Sequence, residues 1–164
     1  MSTSSTSRSS GVDVLAIGAH PDDVDISVGG TVAGLAARGR TVFILDLTRG
    51  EGGSRGTPEE RLREAEQAAS VLGVADRMCL DMGDTRLENT LDNRSALVAI
   101  IRRYRPVLVL APWWEDLHPD HAAAGAIVRD TMYPSGMAGF PASGAPYRPN
   151  EVLFYMAHLP FQPS

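Results

Sequence analysis

A single cysteine, Cys79, occurs among the 164 residues, so no disulfide can form within the chain and a reducing compartment, the cytoplasm, is expected. It stands in a short apolar run (Met78, Cys79, Leu80) and reads as a buried thiol. Positive charge is also in short supply. Fifteen Lys and Arg against twenty Asp and Glu leave a formal charge of −5, with no basic stripe to follow a nucleic-acid backbone. Arg102, Arg103 and Arg105 do cluster, but at an expected helix end, where cations suit the dipole. No apolar run approaches the roughly 18–20 residues of a membrane-spanning helix. The first eleven residues, rich in Ser and Thr, hold no apolar segment of the secretory kind and are expected to form a disordered tail. The whole chain is 43% apolar and 21% charged, ordinary values, and residues 12–164 are enough for one domain with a real core.

Apolar runs alternate with helical patterns. Strands are expected over Val12–Gly18, Thr41–Leu47, Arg77–Asp81, Val107–Ala111 and Glu151–Met156. Helices are expected over Val28–Arg38, closed by Gly39, and from the Thr57-Pro58-Glu59-Glu60 start to about Leu72 and Gly73. Two more are expected, one around Leu91 to Arg105 and an alanine-rich one to about Thr131. Residues 133–150 read as an irregular loop. Fully apolar strands between helices predict an α/β fold: a doubly wound, mostly parallel sheet of order 3-2-1-4-5 in three α/β/α layers. In that order strands one and four meet at the topological switch point, where ligands bind beyond the carboxyl ends of the strands.

Both histidine-rich motifs fall there. Ala19-His20-Pro21-Asp22-Asp23-Val24-Asp25 leaves strand one, and His118-Pro119-Asp120-His121 follows strand four. Either could be a polar turn or helix start by itself; two at one crevice are expected to form a site. His20, Asp23 and His121 supply two imidazoles and a carboxylate, a set suited to a catalytic Zn²⁺ with an open position, or to Fe²⁺ or Co²⁺. Asp22 is placed to act as general base toward a water acidified by the ion. His118 can steady charge on a carbonyl oxygen or act as an acid, with Asp120 orienting that imidazole. His158 has no partner motif and reads as incidental. The first turn, Gly18-Ala19-His20-Pro21-Asp22-Asp23, lacks the glycines of a dinucleotide site and sets carboxylates where phosphates would lie. Gly29-Gly30 reads instead as permitting close packing of the first helix or a backbone approach to ligand.

Ala19-His20-Pro21-Asp22-Asp23, Gly29-Gly30-Thr31, Thr48-Arg49-Gly50-Glu51 and His118-Pro119-Asp120-His121 together resemble the PIG-L/LmbE family of zinc-dependent N-acetylglucosaminyl deacetylases. The string from Leu45 to Glu59 resembles its bacillithiol-biosynthesis branch, which deacetylates N-acetylglucosaminyl malate. The resemblance implies that His20, Asp23 and His121 bind the metal, that Asp22 is the base, and that His118 is an electrostatic helper with Asp120 behind it. It further implies that Arg61 meets the substrate and offers Arg55 for an anionic group such as malate. A small amino-sugar substrate is implied, with no nucleic-acid or membrane partner, and a homo-oligomer. The sequence departs from the family in having Asp25 where glutamate is usual, and it ends near a segment beyond which members continue, so a missing C-terminal portion is expected. Two alternatives stay open: another N-acyl amide hydrolase on this scaffold, its choice of substrate set by the 133–150 loop, or a metal- or sugar-binding domain without turnover.

Overall fold

The computed structural model describes residues 11–53, 56–158 and 160; the expected N-terminal tail, apart from Gly11, and the candidate Arg55 lie outside them. The elements are β1 (Val14–Gly18), α1 (Asp23–Ala37), β2 (Val42–Asp46), α2 (Pro58–Leu72), β3 (Asp76–Cys79), α3 (Leu91–Tyr104), β4 (Leu108–Pro112), α4 (Pro119–Ser135) and β5 (Glu151–Tyr155). The five strands form one parallel sheet in the order β3-β2-β1-β4-β5, as the apolar strand pattern predicts.

Side chains alternate across each strand and so feed two cores. Val14 and Ala16 of β1 pack with Val42, Ile44, Val24 and Val32 on the α1/α2 side. Leu15 and Ile17 face Leu97, Ile101, Ala124 and Ile127 on the α3/α4 side. All five residues of β1 are buried, which is what a central strand covered on both faces requires.

Helix ends follow local chemistry. At α2, Thr57 Oγ1 accepts from the Glu60 amide (3.2 Å) and Glu60 Oε2 accepts from the Thr57 amide (2.8 Å), a complete capping box with Pro58 at the first helical position. Gly73 ends that helix at φ 70°, the left-handed conformation glycine tolerates best.

Three expectations need correction. Helix α1 starts at Asp23, five residues before Val28, because Asp23 and Asp25 suit the positive end of the helix while masking its apolar periodicity. Gly29 and Gly30 consequently lie inside the helix and relieve no crowding: a Cβ on Gly29 would come no nearer than 3.6 Å to Leu72, and one on Gly30 would meet nothing within 4 Å. Helix α4 runs on to Ser135, and the segment after it lies at the amino ends of the strands. There Tyr147 Oη donates to the Pro106 carbonyl (2.9 Å) and the Asn150 amide to that of Val107 (3.0 Å). That end is opposite the strand exits, so the 133–150 loop is not a wall of the crevice.

Candidate metal centre

The β1 exit is a tight turn held from β2: the Ala19 carbonyl accepts from both the amide and the hydroxyl of Thr48, at 2.9 and 2.8 Å. The turn delivers His20 and then Asp23, whose carboxylate accepts the His20 amide at 2.8 Å. Across the switch point, His118 caps α4 and His121 occupies its first turn. Gly125 lets α4 come close over the β4 exit, since a Cβ there would meet the Pro112 carbonyl at 2.6 Å. Asp23 thus lies between two imidazoles, with Oδ1 3.1 Å from His121 Nε2 and Oδ2 3.5 Å from His20 Nδ1. One donor atom from each of the three lies within 4.8 Å of the other two, and all three residues are buried.

The nitrogens turned away from Asp23 each meet another carboxylate. His20 Nε2 is 3.1 Å from Asp84 Oδ1 and 3.3 Å from Asp120 Oδ2. His121 Nδ1 stands 3.4 Å from Asp116 Oδ1, a charge contact without the alignment of a hydrogen bond. Histidines that ligate metals through one nitrogen commonly have the other oriented by a carboxylate, as Asp84 and Asp120 do for His20.

Burial by itself would lower the His20 imidazole, but Asp23, Asp84 and Asp120 outweigh it and push it up to about 9. The His121 imidazole is also raised, burial being outweighed by Asp23 and Asp116. Burial pushes Asp23 upward, yet His121 and His20 hold its carboxyl well below the usual carboxylate range. The site is a buried, carboxylate-rich pocket that calls for positive charge, and His20, Asp23 and His121 fit a divalent cation in number, donor type and spacing.

The other sequence candidates surround this trio. Asp22 is about half exposed and pairs with Arg61 Nη2 at 3.4 Å, while Arg61 Nη1 donates to the Gly50 carbonyl at 3.3 Å. The His118 ring stacks on His121 (4.7 Å, 25°) and meets His20 edge-on (4.9 Å, 75°). His118 Nδ1 accepts the Asp120 amide at 3.2 Å, which leaves the proton of a neutral ring on Nε2. Burial, together with the charges of His121 and His20, lowers the His118 imidazole and keeps it neutral. The Asp120 carboxylate bonds His20 rather than the His118 ring, and also accepts the amides of Thr85 (2.7 Å) and Leu87 (3.2 Å).

All four histidines of the chain line one cleft of about 300 Å³, and His158, read as incidental, is one of them. It stacks on His121 (4.9 Å, 13°) and holds Asp116 through Nδ1 at 3.1 Å. Asp84 was also missed by the sequence reading. It accepts the Gly52 amide at 2.7 Å while its own amide donates to Glu51, latching the glycine loop to the site. A usable signal existed for Asp84, which follows β3 at the same end of the sheet as the two motifs. For Asp116, the signal was two residues' distance from His118.

Known proteins share this architecture. Residues 15–132 match the model of the PIG-L family, described as GlcNAc-PI de-N-acetylase. The chain is 36% identical over 165 residues to the diacetylchitobiose deacetylase of Thermococcus kodakarensis, covering 90% of this chain and 61% of that protein. It is 31% identical to the 1D-myo-inositol 2-acetamido-2-deoxy-alpha-D-glucopyranoside deacetylase of Rhodococcus opacus, covering 82% and 58%. Among solved structures, a conserved protein of Thermus thermophilus superposes with a TM-score of 0.89 at 41% identity, over 93% of this chain and 69% of that one. The N,N'-diacetylchitobiose deacetylase of Pyrococcus horikoshii gives 0.81 at 30% identity, over 87% and 60%. The chain spans 61% and 58% of the length of the two curated relatives named. With the family match running from β1 into α4, through both histidine motifs, the chain belongs to the PIG-L (GlcNAc-PI de-N-acetylase) family.

Proposed function

We propose that this protein is a metal-dependent N-deacetylase acting on an N-acetylglucosaminyl conjugate. The observation that carries the reading is the buried His20–Asp23–His121 donor set in one cleft with half-exposed Asp22 and neutral His118. A divalent ion, Zn²⁺ or Fe²⁺, would supply Lewis acidity there, polarising the amide carbonyl and acidifying water at neutral pH. Asp22 takes the proton of the attacking water and returns it to the departing nitrogen, so that the C–N bond breaks to acetate and a free amine. His118 donates from Nε2 to the oxyanion that develops on the carbonyl oxygen. Arg61 pairs with Asp22 and lines the cleft, which supports a role in orienting that carboxylate and in meeting polar groups of the sugar.

The direct test is acetate release from N-acetylglucosamine conjugates, before and after treatment with EDTA. Release that EDTA abolishes and Zn²⁺ restores is expected; absence of both a bound divalent ion and EDTA-sensitive release overturns the reading. On substrate, the string from Leu45 to Glu59 supports N-acetylglucosaminyl malate. The Thermococcus and Pyrococcus relatives support a second reading, a diacetylated disaccharide. A panel holding both compounds decides between them, and ion binding without release from any member would leave a binding domain without turnover.

A further inference from the structure

An extensive polar network outside the cleft is built on Arg77, in the edge strand β3. Its side chain is 5% exposed. Nε and Nη2 donate to Asp46 at 2.7 and 3.1 Å, at the end of β2. Nη1 lies 3.0 Å from both carboxylate oxygens of Asp25 in α1, and 3.3 Å from the Ala65 carbonyl in α2. Nη2 also donates to the Pro21 carbonyl. A guanidinium has five N–H groups, and acceptors stand at all three of its nitrogens.

The places gripped matter more than their number. Pro21 lies between His20 and Asp22, and Asp25 lies two residues beyond Asp23. Arg77 therefore holds the β1–α1 turn within and just after the stretch that carries two candidate metal ligands and the base, and ties both grips to Asp46. We infer that Arg77 is a positioning residue for the metal centre: its fork sets the turn so that His20 and Asp23 meet His121 in ligating geometry. This inference rests on the metal-dependent reading above. The simpler role, a counter-ion for buried Asp46, needs no bond to Pro21 or Asp25. Lysine cannot replace the fork, because one ammonium on a flexible stem cannot span acceptors on four segments.

The test is the Zn²⁺ dissociation constant, measured by competition with a chromophoric chelator on the unsubstituted protein, Arg77→Lys and Asp25→Asn. Thermal unfolding of each metal-free protein and the visible spectrum of the Co²⁺-loaded forms accompany it. Arg77→Lys is expected to weaken Zn²⁺ binding about 10–100-fold, the usual cost of losing a group that orients ligands, and to alter the Co²⁺ bands. Asp25→Asn keeps the Arg77–Asp46 pair and is expected to weaken binding to a smaller extent; it decides the matter alone if Arg77→Lys does not fold. Unchanged Zn²⁺ affinity and Co²⁺ spectra in the folded variants, whatever happens to the unfolding temperature, overturn the positioning role. Failure of the unsubstituted protein to bind Zn²⁺ is a different result: it removes the metal reading itself, and the inference with it.

Discussion

Arg77 and Arg102 each take a guanidinium out of water, at opposite ends of the sheet, and they end on different kinds of partner. Arg77 meets two carboxylates beside the site. Arg102, at the end of α3, donates to the backbone carbonyls of Ser135 (3.1 Å), Met137 (2.6 Å), Ala142 (2.6 Å) and Gly144 (3.4 Å). Carbonyl dipoles are enough to satisfy a cation whose task is to fold a loop. Carboxylates gather at the other end, where Asp23, Asp84, Asp116 and Asp120 surround the candidate metal centre, and Arg77 offsets two more beside it. The sequence places Arg102 in a cluster of cations at a helix end, where they suit the dipole; the structure turns it inward, 4% exposed, as the pin of the 136–150 segment.

That contrast can be broken from either end. Asp22→Asn should have the largest effect, lowering kcat by about 10²–10⁴-fold, the range for loss of a general base, while Zn²⁺ still binds; steady-state kinetics paired with metal analysis checks both parts. Arg102→Met should destabilise the fold by about 3 kcal/mol, because it leaves several carbonyls without their donor. Urea unfolding measures this, and a matching loss of Zn²⁺ affinity would show that the two ends are not separate. Asp116→Asn should weaken Zn²⁺ binding about 10–100-fold through the orientation of His121, read by chelator competition, with little change in unfolding midpoint.

A further effect is graded with pH. A divalent ion must displace protons from His20, pushed up to about 9, and from His121, also raised. Raising the pH removes that competitor, so Zn²⁺ affinity should climb by up to about tenfold per pH unit for each proton displaced, levelling above about pH 9 for His20. In the metal-free protein the sign reverses: the raised His20 value contributes stability below its unfolded value of 6.5 that is lost as pH rises through 9. Melting curves of metal-free and Zn²⁺-loaded protein from pH 6 to 10 should diverge accordingly. Parallel curves would place the protonated His20 outside the metal-binding equilibrium.

Where local physics decides structure, the sequence was enough. The Thr57 N-cap with Pro58 after it, the Gly73 terminus and the buried run of β1 are short-range patterns, and the handedness of crossovers orders the strands from them. The same rule brings His20-Pro21-Asp22-Asp23 and His118-Pro119-Asp120-His121 to one crevice, so their imidazoles and carboxylates could be grouped as one candidate site from the sequence. Apolar periodicity alone does not reveal the start of α1, because Asp23 and Asp25 interrupt it while favouring a helix N-terminus.

The surroundings of that donor set needed the folded chain. Asp84 reaches His20 across 64 residues, Asp116 reaches His158 across 42, and Arg77 reaches Pro21 across 56. Such pairs leave no periodic trace, since their contact depends on strand order and side-chain direction rather than on spacing. Sequence by itself determined the sheet order and the two motifs that meet at its switch point. Tertiary structure alone decided which carboxylate orients which imidazole: the Asp120 carboxylate turned to His20, Asp116 to His121 and His158, and Arg77 to the turn. In a low-dielectric crevice a charge is settled by whatever partner the fold brings within about 3–4 Å.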